Sequence, residues 1–171
     1  MTKPGILYAF TGTHSTGKTT AVRALRKEMA FNHPDKRIGI VREVARDCPY
    51  PVVGRGNSQP NPISQQWIFH QQAAAELAAR ARYDIVICDR TVCDCIAYTL
   101  AGGLLDLAAS FLRLARWHVE IYDRVYFRRA RLDVPPEDDG FRNLDNDFRL
   151  RVEGCLLEVY HRLGVRVEGV K

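Results

Sequence analysis

The chain has 171 residues, of which 46% are hydrophobic and 26% charged, with a formal net charge of +5. Such a length supports one well-built core rather than two, and the balance is that of a globular chain rather than a disordered or membrane one. No apolar run approaches the roughly 20 residues that a bilayer span requires, so a membrane partner is not expected.

Strand and helix patterns alternate along the chain. Residues 5–11, "GILYAFT", form a short apolar run of buried-strand length, followed by a glycine-rich turn. A helix is expected over 18–30, with Val22, Leu25 and Met29 on one face. Residues 37–43, "RIGIVRE", read as a second strand, and 46–62 as a loop rich in Pro, Gly and Asn. Asn61 and Pro62 then have the form of a cap and first turn opening a long helix. Ile63, Trp67, Ala74 and Leu77 fall near one of its faces.

The clearest strand is 83–90, "YDIVICDR", an apolar run closed by a charged pair. Helices are expected over 92–100 and 104–118, separated by Gly102 and Gly103. A fourth strand comes next over 122–129, then a polar, proline-stiffened loop. Phe148, Val152, Cys155, Leu156, Val159 and Leu163 mark a last helix, and 164–170 a fifth strand. Short apolar strands separated by helices predict an α/β fold of three layers: a five-stranded parallel sheet with helices on both faces. Ligands bind such sheets at the carboxyl ends of the strands, where the glycine turn and Asp89-Arg90 both lie. One domain over 1–171 is expected.

The cysteines, Cys48, Cys88, Cys93, Cys95 and Cys155, are scattered and show no second pair at zinc spacing. They read as small buried hydrophobes in a reducing compartment. The start, "MTKPGILYAF", has neither the length nor the flanks of a signal peptide. A cytoplasmic location is expected. The basic excess is mostly scattered arginine, which suits a small phosphorylated ligand better than a nucleic-acid strand.

Four features carry chemistry. "GTHSTGKTT" fits G-x-x-x-x-G-K-[ST] between a strand and a helix, so the backbone of Gly12, Thr13, His14, Ser15, Thr16 and Gly17 should cradle phosphates. Lys18 should reach the β- and γ-phosphates of ATP, and Thr19 should offer its hydroxyl to Mg²⁺, with Thr20 completing the loop. His14 and Ser15 are read as shaping the loop. Asp89 ends an apolar strand, where an aspartate can hold Mg²⁺. The next residue is Arg90, a cation suited to clamping phosphate, where water-activating enzymes commonly place a glutamate. Glu43 ends the second strand and has two readings: a general base toward an attacking hydroxyl, or a cap or ion pair with Arg42 or Arg46. Arg128, Arg129, Arg131 and Arg142 surround an acidic turn in a segment, about 128–142, with the make-up of a lid. Gln65, Gln66, Gln71 and Gln72 line the long helix, either as a solvated face or as substrate donors.

"GTHSTGKTT", "REVARD", "IVICDRTVCDCIAY" and "EDDGFR", in this order, resemble the small P-loop kinases related to the ribosylnicotinamide kinase domain, a group often labelled an AAA-type ATP-binding domain. More distantly the chain is similar to deoxynucleoside and thymidylate kinases. The resemblance implies a P-loop NTPase fold and an ATP- and Mg²⁺-dependent kinase. It also implies that Glu43 faces the acceptor, that Asp89 and Arg90 act as a pair, and that Arg142 is a lid arginine. The expected partner is a nucleoside- or nucleotide-like small molecule, held by Arg46 or Arg55 if it already carries a phosphate and by Glu43 and a glutamine if it does not. A nucleic-acid acceptor and a nucleotide switch are the alternatives, and N-K-x-D, the guanine-reading motif of switches, is absent. The long amphipathic helices leave room for a homodimer.

Overall fold

The computed structural model describes residues 4–52, 61–130 and 145–170. Five strands, β1 (Ile6–Thr11), β2 (Ile38–Val41), β3 (Ile85–Asp89), β4 (Arg124–Arg128) and β5 (Val167–Val170), form one sheet. Their order is β2-β3-β1-β4-β5, and every neighbouring pair is parallel. Parallel strands need crossovers, and helices supply them: α1 (Lys18–Asn32), α2 (Pro62–Arg82), α3 (Val92–Ala101), α4 (Leu105–His118) and α5 (Asn146–Arg162). The expected architecture is present, with the predicted strands shortened by a few residues at their ends.

The period of two along each strand sorts side chains into two cores. Leu7, Ala9, Val86, Cys88, Val125 and Phe127 join the larger one, built with residues of α2, α3, α4 and α5. Phe10, Ile85 and Ile87 turn the other way, onto Val22 of α1. Partly buried Leu25 and Met29 pack there too, so the predicted face of α1 is the observed one. β3 is buried along its whole length, as a strand between two neighbours and two helical layers must be.

α2 differs from its expected face. Asn61 does cap it, accepting from the N–H groups of Ile63 and Ser64, with Pro62 in the first turn. Yet Ile63 and Leu77 are exposed, and the buried stripe is Ser64, Gln65, Ile68, Phe69, Gln72 and Glu76. Gln65, Gln72 and Glu76 have partners on α3, α4 and the β3 end, so burial follows hydrogen bonds that no local pattern announces. Of the four glutamines, Gln65 and Gln72 are therefore interior, and Gln66 and Gln71 exposed. Cys48, Cys88, Cys93 and Cys95 are buried thiols. No described helix is long and apolar enough to cross a membrane.

In register, Phe10 lies beside Asp89 and Thr11 beside Phe127. The carboxyl ends of β1, β3 and β4 thus stop at one level, and the turns that leave them meet there.

Candidate active site

Between β1 and α1 the chain turns through Gly12 (φ 136°), Ser15 (φ 57°) and Gly17 (φ 76°). Gly12 is obligatory for a second reason: a Cβ there would sit 2.2 Å from the Arg128 carbonyl oxygen. Gly17 leads into α1, whose first turn has no side-chain cap and no acidic residue, whereas α2, α3 and α5 are capped by Asn61, Thr91 and Asp145. An uncapped N-terminus entered through a left-handed glycine leaves its N–H groups for an anion. The buried Ser15 hydroxyl also lacks a hydrogen-bond partner among the described residues. These features fit a phosphate chain.

Lys18 is buried, and its ammonium donates to the Thr13 carbonyl at 2.6 Å and to the Thr16 hydroxyl at 3.2 Å. Burial, with Arg90 adding to it, brings the lysine down to about 7 against the opposing pull of Asp94, Glu43 and Asp89. The Thr16 hydroxyl in turn donates to the Thr13 carbonyl, fixing the loop's far side. His14 is buried: its ring nitrogen Nδ1 lies 2.9 Å from the Tyr98 hydroxyl, which also accepts from the His14 N–H. Thr19 and Thr20 are exposed at the start of α1. The Thr19 hydroxyl donates to Asp89 Oδ2 at 2.5 Å, so one hydroxyl and one carboxylate meet beside the loop. That is the hard-oxygen donor set Mg²⁺ prefers, with waters and phosphates completing the shell.

Arg90 does not pair with Asp89. It has φ 90°, and this turned backbone sends its guanidinium across the loop. Nε donates to Glu43 Oε1 at 2.5 Å, and a terminal nitrogen reaches Asp94 Oδ1 at 3.1 Å and the Gly12 carbonyl at 3.4 Å. The same group stacks over Tyr98, 5.2 Å from the ring centre. Glu43 lies just past β2, before a 3₁₀ turn at Val44–Asp47, and also accepts from Arg46 at 3.0 Å. Burial alone would raise the Glu43 carboxyl, but Arg90, Lys18 and Arg46 hold it at about 2. Glu43 thus makes the ion pair with Arg46 that the sequence offered as one of its two readings, and a second pair with Arg90.

Two further residues complete the frame. Asp94, which the sequence did not single out, closes a capping box with Thr91 and accepts the Thr11 hydroxyl at 2.9 Å, tying α3 to β1. Its signal is present in the chain, as T-x-x-D directly after the charged pair. Arg128, expected at the start of a lid, instead ends β4 and donates from Nε to the Thr16 carbonyl at 2.7 Å, bracing the loop from outside. Arg55, Arg131 and Arg142, with most of the lid segment, lie outside the described residues.

The fold that carries this glycine turn has counterparts. The model of a family described as "AAA domain" matches residues 7–171. The chain belongs to that family. No curated protein matches this AAA domain, but its fold recurs in solved structures. A thymidylate kinase from Ehrlichia chaffeensis superimposes with a TM-score of 0.70 at 17% identity, over 99% of this chain and 94% of that one. A thymidylate kinase from Candida albicans gives 0.62 at 17% identity, over 99% and 85%. This AAA domain therefore shares the fold of those thymidylate kinases.

Proposed function

We propose that the chain is a phosphotransferase that moves the γ-phosphoryl of ATP, with Mg²⁺, to a hydroxyl or phosphate of a nucleoside- or nucleotide-like small molecule. The thymidylate kinases that share its fold support such an acceptor. What carries the reading is the Glu43–Arg90 pair across the phosphate loop. Arg90 occupies the place of a water-activating glutamate, and both carboxylates in its reach, Glu43 and Asp94, are tied to it. That arrangement suits a transferred phosphoryl group better than hydrolysis.

Loop N–H groups and Lys18 take the β- and γ-phosphates. Thr19 and Asp89 hold Mg²⁺, which when bound neutralises charge on the phosphate oxygens. The acceptor oxygen bonds to the γ-phosphorus as the bond to the bridging oxygen breaks, and ADP departs. Arg90 turns from Glu43 to the phosphoryl oxygens as charge spreads over them. Without Arg90, the strongest of the cations around it, and with Arg46 and Lys18 still in place, Glu43 regains part of its basicity and accepts the proton of a hydroxyl acceptor. Gln65 is buried, with its Oε1 held by Thr99 at 3.1 Å and its Nε2 unpartnered among the described residues, and offers an amide donor to an acceptor carbonyl. By the resemblance, Arg142 would act as a lid arginine. The site works in a reducing cytoplasm.

The test is ADP release with ATP and Mg²⁺, alone and with ribo- and deoxynucleosides, nicotinamide riboside, nucleoside monophosphates and 5′-hydroxyl oligonucleotides. ADP should rise with one small-molecule class, with phosphate recovered on that acceptor, and Glu43→Gln should slow transfer far more than it weakens ATP binding. A rise confined to oligonucleotides, or flat slow hydrolysis throughout, would overturn the proposal.

A further inference from the structure

Arg90 holds a backbone conformation that a non-glycine residue adopts only at an energetic cost, and that persists only where its surroundings over-determine it. The surroundings are specific. Its N–H donates to the Phe10 carbonyl of β1 at 2.9 Å. Its carbonyl accepts from Nε2 of Gln72 at 3.2 Å, reached from α2, eighteen residues earlier. Gln72 is itself interior, and the same amide nitrogen donates to Glu76 Oε1, one helical turn on, at 2.8 Å. One NH₂ group thus spans two acceptors and cannot rotate away without abandoning one.

Glu76 is completely buried. Its other oxygen, Oε2, accepts from His118 Nε2 at 2.6 Å and from the Tyr122 hydroxyl at 2.8 Å. The Tyr122 oxygen then accepts the N–H of Val92 at 3.1 Å. The carboxylate therefore organises both flanks of the Asp89–Thr91 turn, through Gln72 on the Arg90 carbonyl and through Tyr122 on Val92. None of these four side chains bonds to the phosphate loop, and an apolar interior would fill the same space at lower electrostatic cost. A buried carboxylate with three donors is retained where a fixed geometry is worth that cost.

We propose that Gln72, held by Glu76, is a positioning residue: it locks the turned backbone of Arg90 and so aims the guanidinium across the phosphate loop. In kinetic terms this rests on the phosphotransferase reading above. In structural terms it does not, because the Arg90–Glu43 contact is made between two side chains of this chain.

Two readouts separate the cases. In ¹⁵N-labelled protein the Arg90 Nε–H, identified by its loss in Arg90→Lys, should give a sharp, slowly exchanging resonance from its contact with Glu43. Gln72→Met keeps chain length and removes the donor; Gln71→Met, on the exposed side, is the control. In Gln72→Met the resonance should shift and broaden. Acceptor-dependent kcat should fall roughly ten- to a hundredfold, the cost of a misplaced catalytic group, with KM for ATP within about twofold of wild type. Should Gln72→Met fail to fold, Tyr122→Phe removes the other arm and should move the resonance and kcat the same way by a smaller factor. An unchanged Arg90 resonance in folded Gln72→Met, or in Tyr122→Phe where that alone folds, would overturn the proposal. Wild-type protein without acceptor-dependent transfer would sink the kinase reading and leave the resonance test standing.

Discussion

A lysine at about 7 is half-charged near neutrality, and Lys18 sits where a phosphate chain would need it fully charged. Its ammonium is penalised by burial in the folded protein and not in the unfolded chain, where the ordinary value is 10.5. Below pH 7 both states bind the proton and the folded state carries the full penalty. As pH rises from 7 toward 10.5 the folded state gives up its proton first, so this group adds stability over that window. A phosphate placed against Lys18 reverses the preference and keeps the proton on. Nucleotide binding at pH 8 should therefore take up a fraction of a proton, and affinity should weaken with rising pH above 7. Calorimetry in two buffers of different ionisation heat reads that uptake. Lys18→Met, if it binds nucleotide at all, should show none of it; equal uptake by the variant would move the proton elsewhere.

At the scale of elements, α3 connects the most parts of the site. Its first turn carries the capping box of Thr91 and Asp94, and the same Asp94 accepts Thr11 and Arg90. The Thr91 hydroxyl lies 2.8 Å from that of Tyr160 on α5, so the cap also joins two helices. Thr91→Ala should cost about 1–2 kcal/mol for the lost cap, a fall in Tm of roughly 2–8 °C for a chain of this size. Thermal unfolding followed by circular dichroism measures it, and a shift under about 1 °C would mean that water replaces the hydroxyl. Elements of this kind were legible in the chain to different degrees. The glycine turn, the Asn61 cap and the β3 run carry local signals, and each stands where the pattern places it. The buried face of α2 does not, because Gln65, Gln72 and Glu76 are interior only through partners some 18 to 46 residues distant. The Arg90 pairing was hidden for the same reason: its positive φ aims it at Glu43, 47 residues earlier, and not at its neighbour Asp89.

At the scale of the molecule, strand order decides which pieces can cooperate. β1 lies between β3 and β4, so the phosphate loop is flanked by Asp89-Arg90 on one side and Arg128 on the other. The crossover from β3 to β4 passes from one side of β1 to the other, the switch point where crevices open in parallel sheets. One edge of the sheet thus holds the residues proposed to support a nucleotide, and the segment after β4 starts from the same edge.

The close approach of the Arg128 carbonyl to Gly12, which leaves no room for a Cβ, and the Arg128 guanidinium on Thr16 make the loop and the end of β4 one mechanical unit. A loop stiffened by phosphate must then also quieten the strand it leans on. Hydrogen–deuterium exchange should show protection gained on nucleotide binding at Phe127 to Ala130 as well as in the loop, and in Arg128→Ala the gain at the strand should vanish while that in the loop survives. The end of β4 would in this way register whether the loop is filled, a mechanical signal that travels along the backbone rather than through the bound molecule.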